Sequence, residues 1–304
     1  MGDKMTELKK YFPGQFYRKI YPYLWFIPLI VIVGFTLIYP WLWSFTLSFT
    51  KWNLIDGGAP VFIGLGNYIS VLSDPLFLLS LGKTFTFMLI TVPAQLLLGL
   101  GIALLLNQHV KGRGFWLSCI MLPFMLTPSI VGLIWKILIS GQWGVFNYFL
   151  GLIGIHNIGW LSDPQLSMWT ISIIDIWQHT PWVMLILFAG LQAIPREMYE
   201  AGEIDGTNSW QAFRYVTIPY LRPLIIMVLL FRLMFALRSF DVIYTLFRAG
   251  GPANSAMVLG VYLYEQFRLS WDIGKSSATS YIILLLTFIL SVGLTIRMYR
   301  GEKE

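Results

Sequence analysis

The sequence predicts an all-α polytopic membrane protein, and two observations support that prediction. Of its 304 residues, 57% are hydrophobic and only 12% are charged, whereas about a quarter of the residues in soluble domains are charged. A soluble domain cannot bury so much apolar surface. The apolar residues also occur in long runs, and a helix needs about 20 of them in succession to cross a bilayer.

Six segments meet this length requirement, so we predict six transmembrane helices. They are residues 24–44, 84–106, 115–138, 168–194, 224–247 and 276–296. The first run follows a basic amino-terminal stretch but is too long for a signal peptide, which favours an uncleaved first span. The predicted division of the chain is a tail over 1–22, a transmembrane domain over 23–299 and a second tail over 300–304.

The distribution of basic residues predicts the orientation of the chain. Thirteen of the 21 Lys and Arg fall on the side of the two termini, five fall on the other side and three lie within predicted spans. Short cytoplasmic loops are enriched in Lys and Arg. Both termini and the loop over 195–222 are therefore expected to be cytoplasmic. The one lysine within a predicted span, Lys136, is expected to extend its ammonium group toward the outer interface.

The predicted outer loop over 139–167 is apolar and aromatic. Trp143, Tyr148 and Trp160 suit the headgroup level of a membrane, where such side chains are enriched. An ordinary packed outer loop explains the same residues equally well. Both interpretations stay open at this stage.

The loop over 195–222 is polar and charged, although it separates two very apolar segments. Residues 196 to 204 read as a short helix that Gly206 ends, because glycine tolerates the left-handed conformation. Asn208 or Ser209 can cap a second short helix to about residue 216, and Pro219 precedes the next span. We therefore predict a helix–turn–helix hairpin on the cytoplasmic side.

The residues of this loop resemble the EAA loop of ABC-importer permeases. That motif has Glu-Ala-Ala, then Asp-Gly, then a hydrophobic residue followed by Pro about a dozen residues later, and here its third position is glycine. Matching positions include Glu200, Ala201, Gly202, Asp205, Gly206 and Pro219. Further similar pieces are Leu122-Pro123, Trp177 with Pro181 and Gly250-Gly251-Pro252. Over most of its length the chain resembles the carbohydrate-uptake permeases of the maltose and glycerol-phosphate type.

The resemblance implies a binding-protein-dependent importer permease fold and a role for the loop. In that family the loop is a coupling helix that inserts into a cleft of a separate ATPase subunit. Glu200 would contact the ATPase, Ala201 and Gly202 would allow close approach, and Gly206 would set the angle between the two short helices. An ATP-driven closure of the ATPase pair would then move the spans.

The resemblance also implies the partners and the location. The expected partners are a second permease subunit in a heterodimer, two cytoplasmic ATPase subunits and an extracytoplasmic solute-binding protein. The expected location is the lipid bilayer of a bacterial or archaeal cytoplasmic membrane.

Sequence motifs assign no catalytic or cofactor site to this chain. It contains no GxxxxGK[ST] motif, so ATP and Mg²⁺ are expected to bind the partner subunits. The three histidines are His109, His156 and His179, and their scattered positions predict no metal site. We predict no enzymatic activity and no nucleic-acid partner.

Polar residues within the fourth and fifth spans indicate a substrate path, because intramembrane polar groups usually face a cavity or a partner. The predicted lining comprises Asp175, Gln178, His179 and Trp182 of the fourth span and Arg232, Ala236 and Ser239 of the fifth. Those of the fourth span are spaced to share one helix face. Hydrogen-bonding groups beside an aromatic ring suit a sugar.

Other interpretations of these residues exist. The same side chains could form an internal ion pair or pack between subunits, and that is our interpretation of Arg238 and Asp241. An ion-coupled secondary transporter could use Asp175 and His179 as a relay, although such proteins usually have more spans and inverted repeats. An intramembrane enzyme using the same two residues would lack a nucleophile or metal beside them.

Overall fold

The computed structural model describes residue 23 and residues 25–301, apart from 109, 142 and 157; the side chains of 294 and 297–301 are outside the description. The predicted tail over 1–22 and the last three residues of the chain are outside it too. The described chain is almost entirely helical, with one two-stranded antiparallel hairpin in which β1 (Thr50–Lys51) pairs with β2 (Val61–Phe62).

The helices of the first half of the chain include the four that make up the first three predicted spans. In order they are α1 (Ile27–Leu47, with a π-helical turn at Gly34–Ile38), α2 (Gly66–Leu72), α3 (Pro75–Asn107), α4 (Arg113–Met125), α5 (Pro128–Leu138) and α6 (Val145–Leu152). The second span begins at Pro75, nine residues before the predicted start, because Asp74 caps the helix by accepting the N–H of Leu76.

The second half contains the longest polar insertion between spans. Its helices are α7 (Pro164–Gln192), α8 (Arg196–Ile204), α9 (Ser209–Ala212), α10 (Ile218–Leu237), α11 (Asp241–Phe247), α12 (Leu259–Ser270) and α13 (Ile273–Gly301). A π-helical turn over Phe213–Thr217 joins α9 to α10. Five helical stretches within the described residues are long and apolar enough to cross a membrane, or six if one bent pair counts as a span.

The bent pair corrects the prediction of a continuous third span. Helices α4 and α5 meet at 95°, and the two residues between them, Leu126 and Thr127, are extended. Thr127 precedes Pro128, and the proline ring disfavours the helical conformation at the residue before it. The apolar run over 115–138 is therefore one predicted span built from two helices.

The fifth span differs from its prediction at both ends. The second arm of the predicted hairpin is continuous with this span, because Pro219 lies in the first turn of α10, where a proline does not interrupt a helix. At the other end the helix stops at Leu237, and α11 begins at Asp241. The predicted span over 224–247 is thus two helices.

Spans two and four form the closest packing in the core. A Cβ added to Gly99 would lie 2.7 Å from Val183 Cγ1 and 3.0 Å from the main-chain N of Met184. Only the absence of a side chain at this position permits the approach. The contact fixes the separation between α3, which carries Gln95, and α7, which carries Asp175 and His179.

Hydrogen bonds and an ion pair join α12 to the ends of spans two and six. Asp74 Oδ2 accepts the hydroxyl of Tyr262 at 2.8 Å and lies 3.4 Å from Lys275 Nζ. Burial raises the pKa of Asp74, but the bonds from Tyr262 and Leu76 and the charge of Lys275 outweigh it, so that pKa lies below its ordinary value. Asp74 is therefore a carboxylate at neutral pH.

Two side chains near the predicted outer surface form hydrogen bonds within the chain. Lys136 donates from Nζ to the main-chain carbonyl of Thr245 at 3.2 Å, because the bend before α5 brings it against α11; it is not simply extended toward the interface. Trp160 donates from Nε1 to Asn147 Oδ1 at 2.8 Å and is a packed loop residue. Trp143 and Tyr148 are exposed, and their place at headgroup level stays a prediction.

Candidate functional site

A buried polar cluster joins spans two, four and five. Asp175 Oδ2 accepts hydrogen bonds from Arg232 Nη2 at 2.9 Å and from Gln95 Nε2 at 2.8 Å. Arg232 Nε also donates to Gln95 Oε1 at 2.7 Å. Arg232 is 1% exposed and Gln95 is fully buried. The guanidinium is held in a closed ring of three side chains, so the aspartate carries a compensated charge.

His179 extends this cluster by one helical turn. Its Nδ1 lies 2.9 Å from Asp175 Oδ1 and 3.1 Å from the main-chain oxygen of Asp175. The ring of Phe124 meets it edge-on, with centroids 6.3 Å apart. The two side chains therefore share one face of α7, as predicted, and the alternative of an internal ion pair is present as Asp175 with Arg232.

A cavity of about 440 Å³ opens beside the cluster. Its walls include Phe124, Asp175, His179, Arg232, Phe235 and Ser239. They come from the bent third span, the fourth span and the end of the fifth. Charged and hydroxyl groups therefore face aromatic rings across a space large enough for a small solute, since ligand cavities commonly measure about 300–1,000 Å³.

Three predicted lining residues are absent from the walls of this cavity. Gln178 Nε2 donates to the main-chain oxygen of Leu126 at 3.2 Å and so satisfies a carbonyl at the bend of the third span. Trp182 packs its edge against the rings of Phe231 and Phe235, at 6.1 and 6.2 Å. Ala236 is 2% exposed and belongs to the apolar core. Helical spacing alone placed these side chains on a shared face, but neighbouring helices cover them.

The prediction for Arg238 and Asp241 is wrong in one respect. Both residues are exposed and line the cavity, and among the described residues no ion pair joins them. They lie on either side of the break between α10 and α11, which separates the two side chains. Their packing against a second subunit stays a prediction.

Gln95, Phe124 and Phe235 are site residues that the sequence argument missed. Gln95 had a usable signal, because it is the only amide or charged side chain in the predicted second span. The two phenylalanines had none, since every predicted span contains phenylalanine. Only the arrangement of the helices distinguishes these rings from lipid-facing ones.

The coupling segment, defined here as residues 195–222, has the predicted first helix and turn. Helix α8 spans Arg196–Ile204, and Gly206 has a φ of +76°. Asn208 and Gln211 form a reciprocal capping box at the start of α9. Tyr199 joins α8 to the next span through a 3.0 Å hydrogen bond between its hydroxyl and Thr217 Oγ1.

Gly202 has a structural reason to be glycine. A Cβ added there would lie 2.8 Å from Thr207 Oγ1, and the N–H of Thr207 donates to the main-chain oxygen of Gly202 at 2.9 Å. The turn therefore folds back directly over this residue. An alanine at 202 would require the Thr207 side chain to move.

The outward surface of the coupling segment combines charge with apolar groups. Glu200 and Asp205 are exposed, Ile204 is 87% exposed and Trp210 is 66% exposed. Within the described residues, no cluster of three His, Cys, Asp or Glu side chains could hold a metal.

Comparison with known proteins identifies the family. Residues 95–300 match the family described as "Binding-protein-dependent transport system inner membrane component". The chain belongs to this family. It is therefore a permease component of an ABC transport system and a multi-pass inner membrane protein. Its membership does not favour the secondary-transporter or enzyme alternatives.

Individual relatives match the permease over nearly its whole length. It is 35% identical to the trehalose/maltose transport system permease protein MalF of Thermococcus litoralis, over 97% of this chain and 96% of that protein. Its fold matches a chain in the crystal structure of a bacterial ABC transporter that imports the acidic polysaccharide alginate, with a TM-score of 0.83, 19% identity and 98% and 99% of the two chains covered.

A second solved structure shows an alginate transporter with its binding protein. It is the bacterial alginate ABC transporter in complex with an alginate pentasaccharide-bound periplasmic protein, with a TM-score of 0.78, 19% identity and coverage of 91% of this chain and 95% of that chain. At 19% identity, the similarity of this chain to both alginate transporter structures concerns the fold alone.

Proposed function

We propose that this permease forms half of the translocation path for a sugar or sugar-like solute. The observation that supports the proposal most directly is the cavity beside Asp175 and His179. Its carboxylate, imidazole and hydroxyl groups can exchange hydrogen bonds with sugar hydroxyls. The rings of Phe124 and Phe235 can cover the apolar face of a sugar ring. Relatives named for trehalose/maltose and alginate transport favour the same class of solute.

The substrate path within this chain is assigned to Asp175, His179, Arg232 and Ser239. Arg232 acts by holding the aspartate, because its guanidinium is almost wholly enclosed. Gln178, Trp182 and Ala236 are assigned an indirect part: they shape the walls by packing against the bend, the aromatic rings and the core.

The coupling segment is the proposed docking site for a separate ATPase subunit. Glu200 and Asp205 supply charge, and Ala201 and Gly202 leave room for close approach of a partner surface. Exposed Ile204 supplies apolar area that water otherwise covers. Gly206 sets the turn, and Pro219 starts the helix that leads into the membrane. ATP and Mg²⁺ are assigned to the ATPase subunits, which hydrolyse the nucleotide.

The remaining partners complete the proposed importer. Six spans supply one half of a path, so we assign a second, different permease subunit as the other half. Two ATPase subunits and an extracytoplasmic solute-binding protein complete the assembly. The relative solved with a loaded periplasmic protein supports the last of these.

Reconstituted transport tests this function. The permease, co-expressed with its partner permease and ATPase and placed in proteoliposomes, should accumulate a radiolabelled sugar only with ATP inside and the binding protein outside. The sugar is chosen by screening the binding protein against a sugar panel. Accumulation driven by a proton or sodium gradient in the absence of ATP would contradict the proposal.

Cysteine labelling tests the orientation. Cys119 is the single cysteine of the sequence and is first replaced by Ser. A new cysteine introduced in place of Asp163 or Asp272 should then react with an impermeant maleimide added outside intact cells. A cysteine at Lys111 or Asn208 should react only after the cells are permeabilised. Labelling from outside at Asn208 would contradict a cytoplasmic coupling segment.

A further inference from the structure

A second cavity lies where the coupling segment meets spans two, three and four. Its volume is about 720 Å³. The polar residues on its walls are Asn107, Gln108, Arg113, Gln192, Arg196 and Tyr199. None of the residues assigned to the substrate path lines it, so the cavity is separate from the site beside Asp175.

The charge of this cavity is positive. Arg113 and Arg196 line it, and no carboxylate is among the described lining residues. The guanidinium of Arg113 lies over the ring of Phe188, with 5.5 Å from Cζ to the ring centroid. A cation–π contact orients the group without neutralising it. The N–H groups of a guanidinium lie in its plane, where they can bind a phosphate with two hydrogen bonds.

The partial charges of the helix ends do not reverse the positive charge of this cavity. Helices α4 and α8 begin at the cavity, and their N-cap residues, Gly112 and Pro195, supply no side-chain cap. Helices α3 and α7 end there and bring opposite partial charges. Two amino ends and two carboxyl ends cancel to a first approximation. The two guanidinium groups therefore determine the potential, and the nearby amide side chains add uncharged donors.

We propose that this cavity binds a phosphate group, carried by an acidic phospholipid headgroup or by a soluble phosphorylated metabolite. Basic cavities between the cytoplasmic ends of transmembrane helices suit such groups. The inference rests on the proposed function, which places this end of the chain in the cytoplasm. The bound phosphate bridges Arg113 on α4 to Arg196 on α8.

The position of the site makes it regulatory. Arg196 is the first residue of α8, and Tyr199 one turn later is bonded to Thr217 at the start of the fifth span. A ligand that ties Arg196 to the third span therefore restrains the coupling segment against the membrane domain. We expect the ligand to raise transport-coupled ATPase activity, because docking on a restrained helix loses less conformational entropy.

The test uses the complete transporter in lipid nanodiscs of phosphatidylcholine, alone or mixed with phosphatidylglycerol. Binding-protein-stimulated ATPase activity is measured in each, and retained phosphatidylglycerol is counted by native mass spectrometry. A second arm adds glycerol phosphate to nanodiscs of phosphatidylcholine alone. The variants are Arg113→Gln, Arg196→Gln and the double variant. Lys111→Gln is the matched control, because this exposed lysine lies two residues from Arg113 but does not line the cavity.

The expected result is stimulation of the parent and of the Lys111→Gln control by one of the two phosphate sources, with that response lost in the double variant. Each single variant should bind about fivefold more weakly, the usual effect of one basic residue near an anionic surface. Dependence on phosphatidylglycerol alone identifies a lipid, and a response to glycerol phosphate identifies a soluble ligand. An unchanged response in the double variant, or no response of the parent to either source, would overturn the proposal.

Two measurements distinguish a loss of phosphate binding from a folding defect and from a failure of the proposed function. The Arg196→Lys variant keeps the positive charge, so it should show most of the stimulation by phosphate that Arg196→Gln loses. A folding defect would instead lower the amount of assembled complex in every lipid. A parent transporter without any binding-protein-stimulated ATPase activity would contradict the proposed function. Stimulated activity that is the same in all lipids and all variants would contradict the phosphate site alone.

Discussion

Glu200→Lys is expected to abolish uptake while leaving membrane insertion normal. The residue is exposed on α8, outside the predicted spans, so the change acts on the proposed docking surface and not on the packed core of the membrane domain. Losing one partner of a charge pair within an interface costs about 2–5 kcal/mol, and reversing the charge adds repulsion. The measurement is uptake per inserted transporter, with co-purification of the ATPase as a second readout.

Gly206 offers a graded test of the same segment. Its φ of +76° is inaccessible to proline, whose ring fixes φ near −65°, so Gly206→Pro should abolish uptake as well. Asn tolerates the left-handed region, and Gly206→Asn should keep most of the activity. Asp56→Lys reverses an exposed charge on the opposite side of the membrane and serves as the control. Parental uptake in Glu200→Lys at equal expression would contradict the docking role.

Arg232→Met is expected to destabilise the folded permease by about 3–5 kcal/mol. The substitution leaves the buried Asp175 carboxylate without its guanidinium partner, with only His179 and Gln95 beside it, and breaking a buried ion pair carries a cost of that size. It also removes the donor to Gln95 Oε1. Unfolding of the detergent-solubilised transporter by sodium dodecyl sulfate, monitored by tryptophan fluorescence, measures the change.

A double variant gives this prediction its control. Asp175→Asn combined with Arg232→Met removes both charges, so its stability should exceed that of Arg232→Met alone. Arg238→Met, on the exposed end of the same helix, should change stability by less than about 1 kcal/mol, the usual size of a surface charge near a helix end. Equal losses in the two arginine variants would show that the ring around Asp175 does not hold the helices together.

The sequence was sufficient for the fold class because membrane spans are identified by apolar length, which needs no tertiary information. It was also sufficient for the turn at Gly206 and for a cap at Asn208 or Ser209, of which the structure uses Asn208, because both features depend on local conformation. It was insufficient for the bend at Leu126–Thr127, since the apolar run continues unbroken through it. Pro128 was the local signal, but proline also occurs within continuous spans, as Pro93 does in α3.

The candidate site was partly predictable for a similar reason. Periodicity placed Asp175 and His179 on one face, and their contact is local to a single helix. The partner of Asp175 on another helix required a tertiary arrangement, so the enclosure of Arg232 and the part played by Gln95 were not accessible. Trp182 shows most clearly what helical periodicity does not reveal. Its spacing places it on the same face of α7 as Asp175 and His179, but two phenylalanines of α10 cover its ring.

The continuity of α9, the π-helical turn and α10 has a mechanical consequence. From Ser209 to Arg232 the helix is about 35 Å long at about 1.5 Å per residue. A tilt of about 5° with its pivot at Ser209 would swing the guanidinium sideways by about 3 Å, as far as the 2.9 Å separation of Arg232 Nη2 from Asp175 Oδ2. A small rotation of this helix about its Ser209 end would therefore be enough to break the ion pair between Arg232 and Asp175.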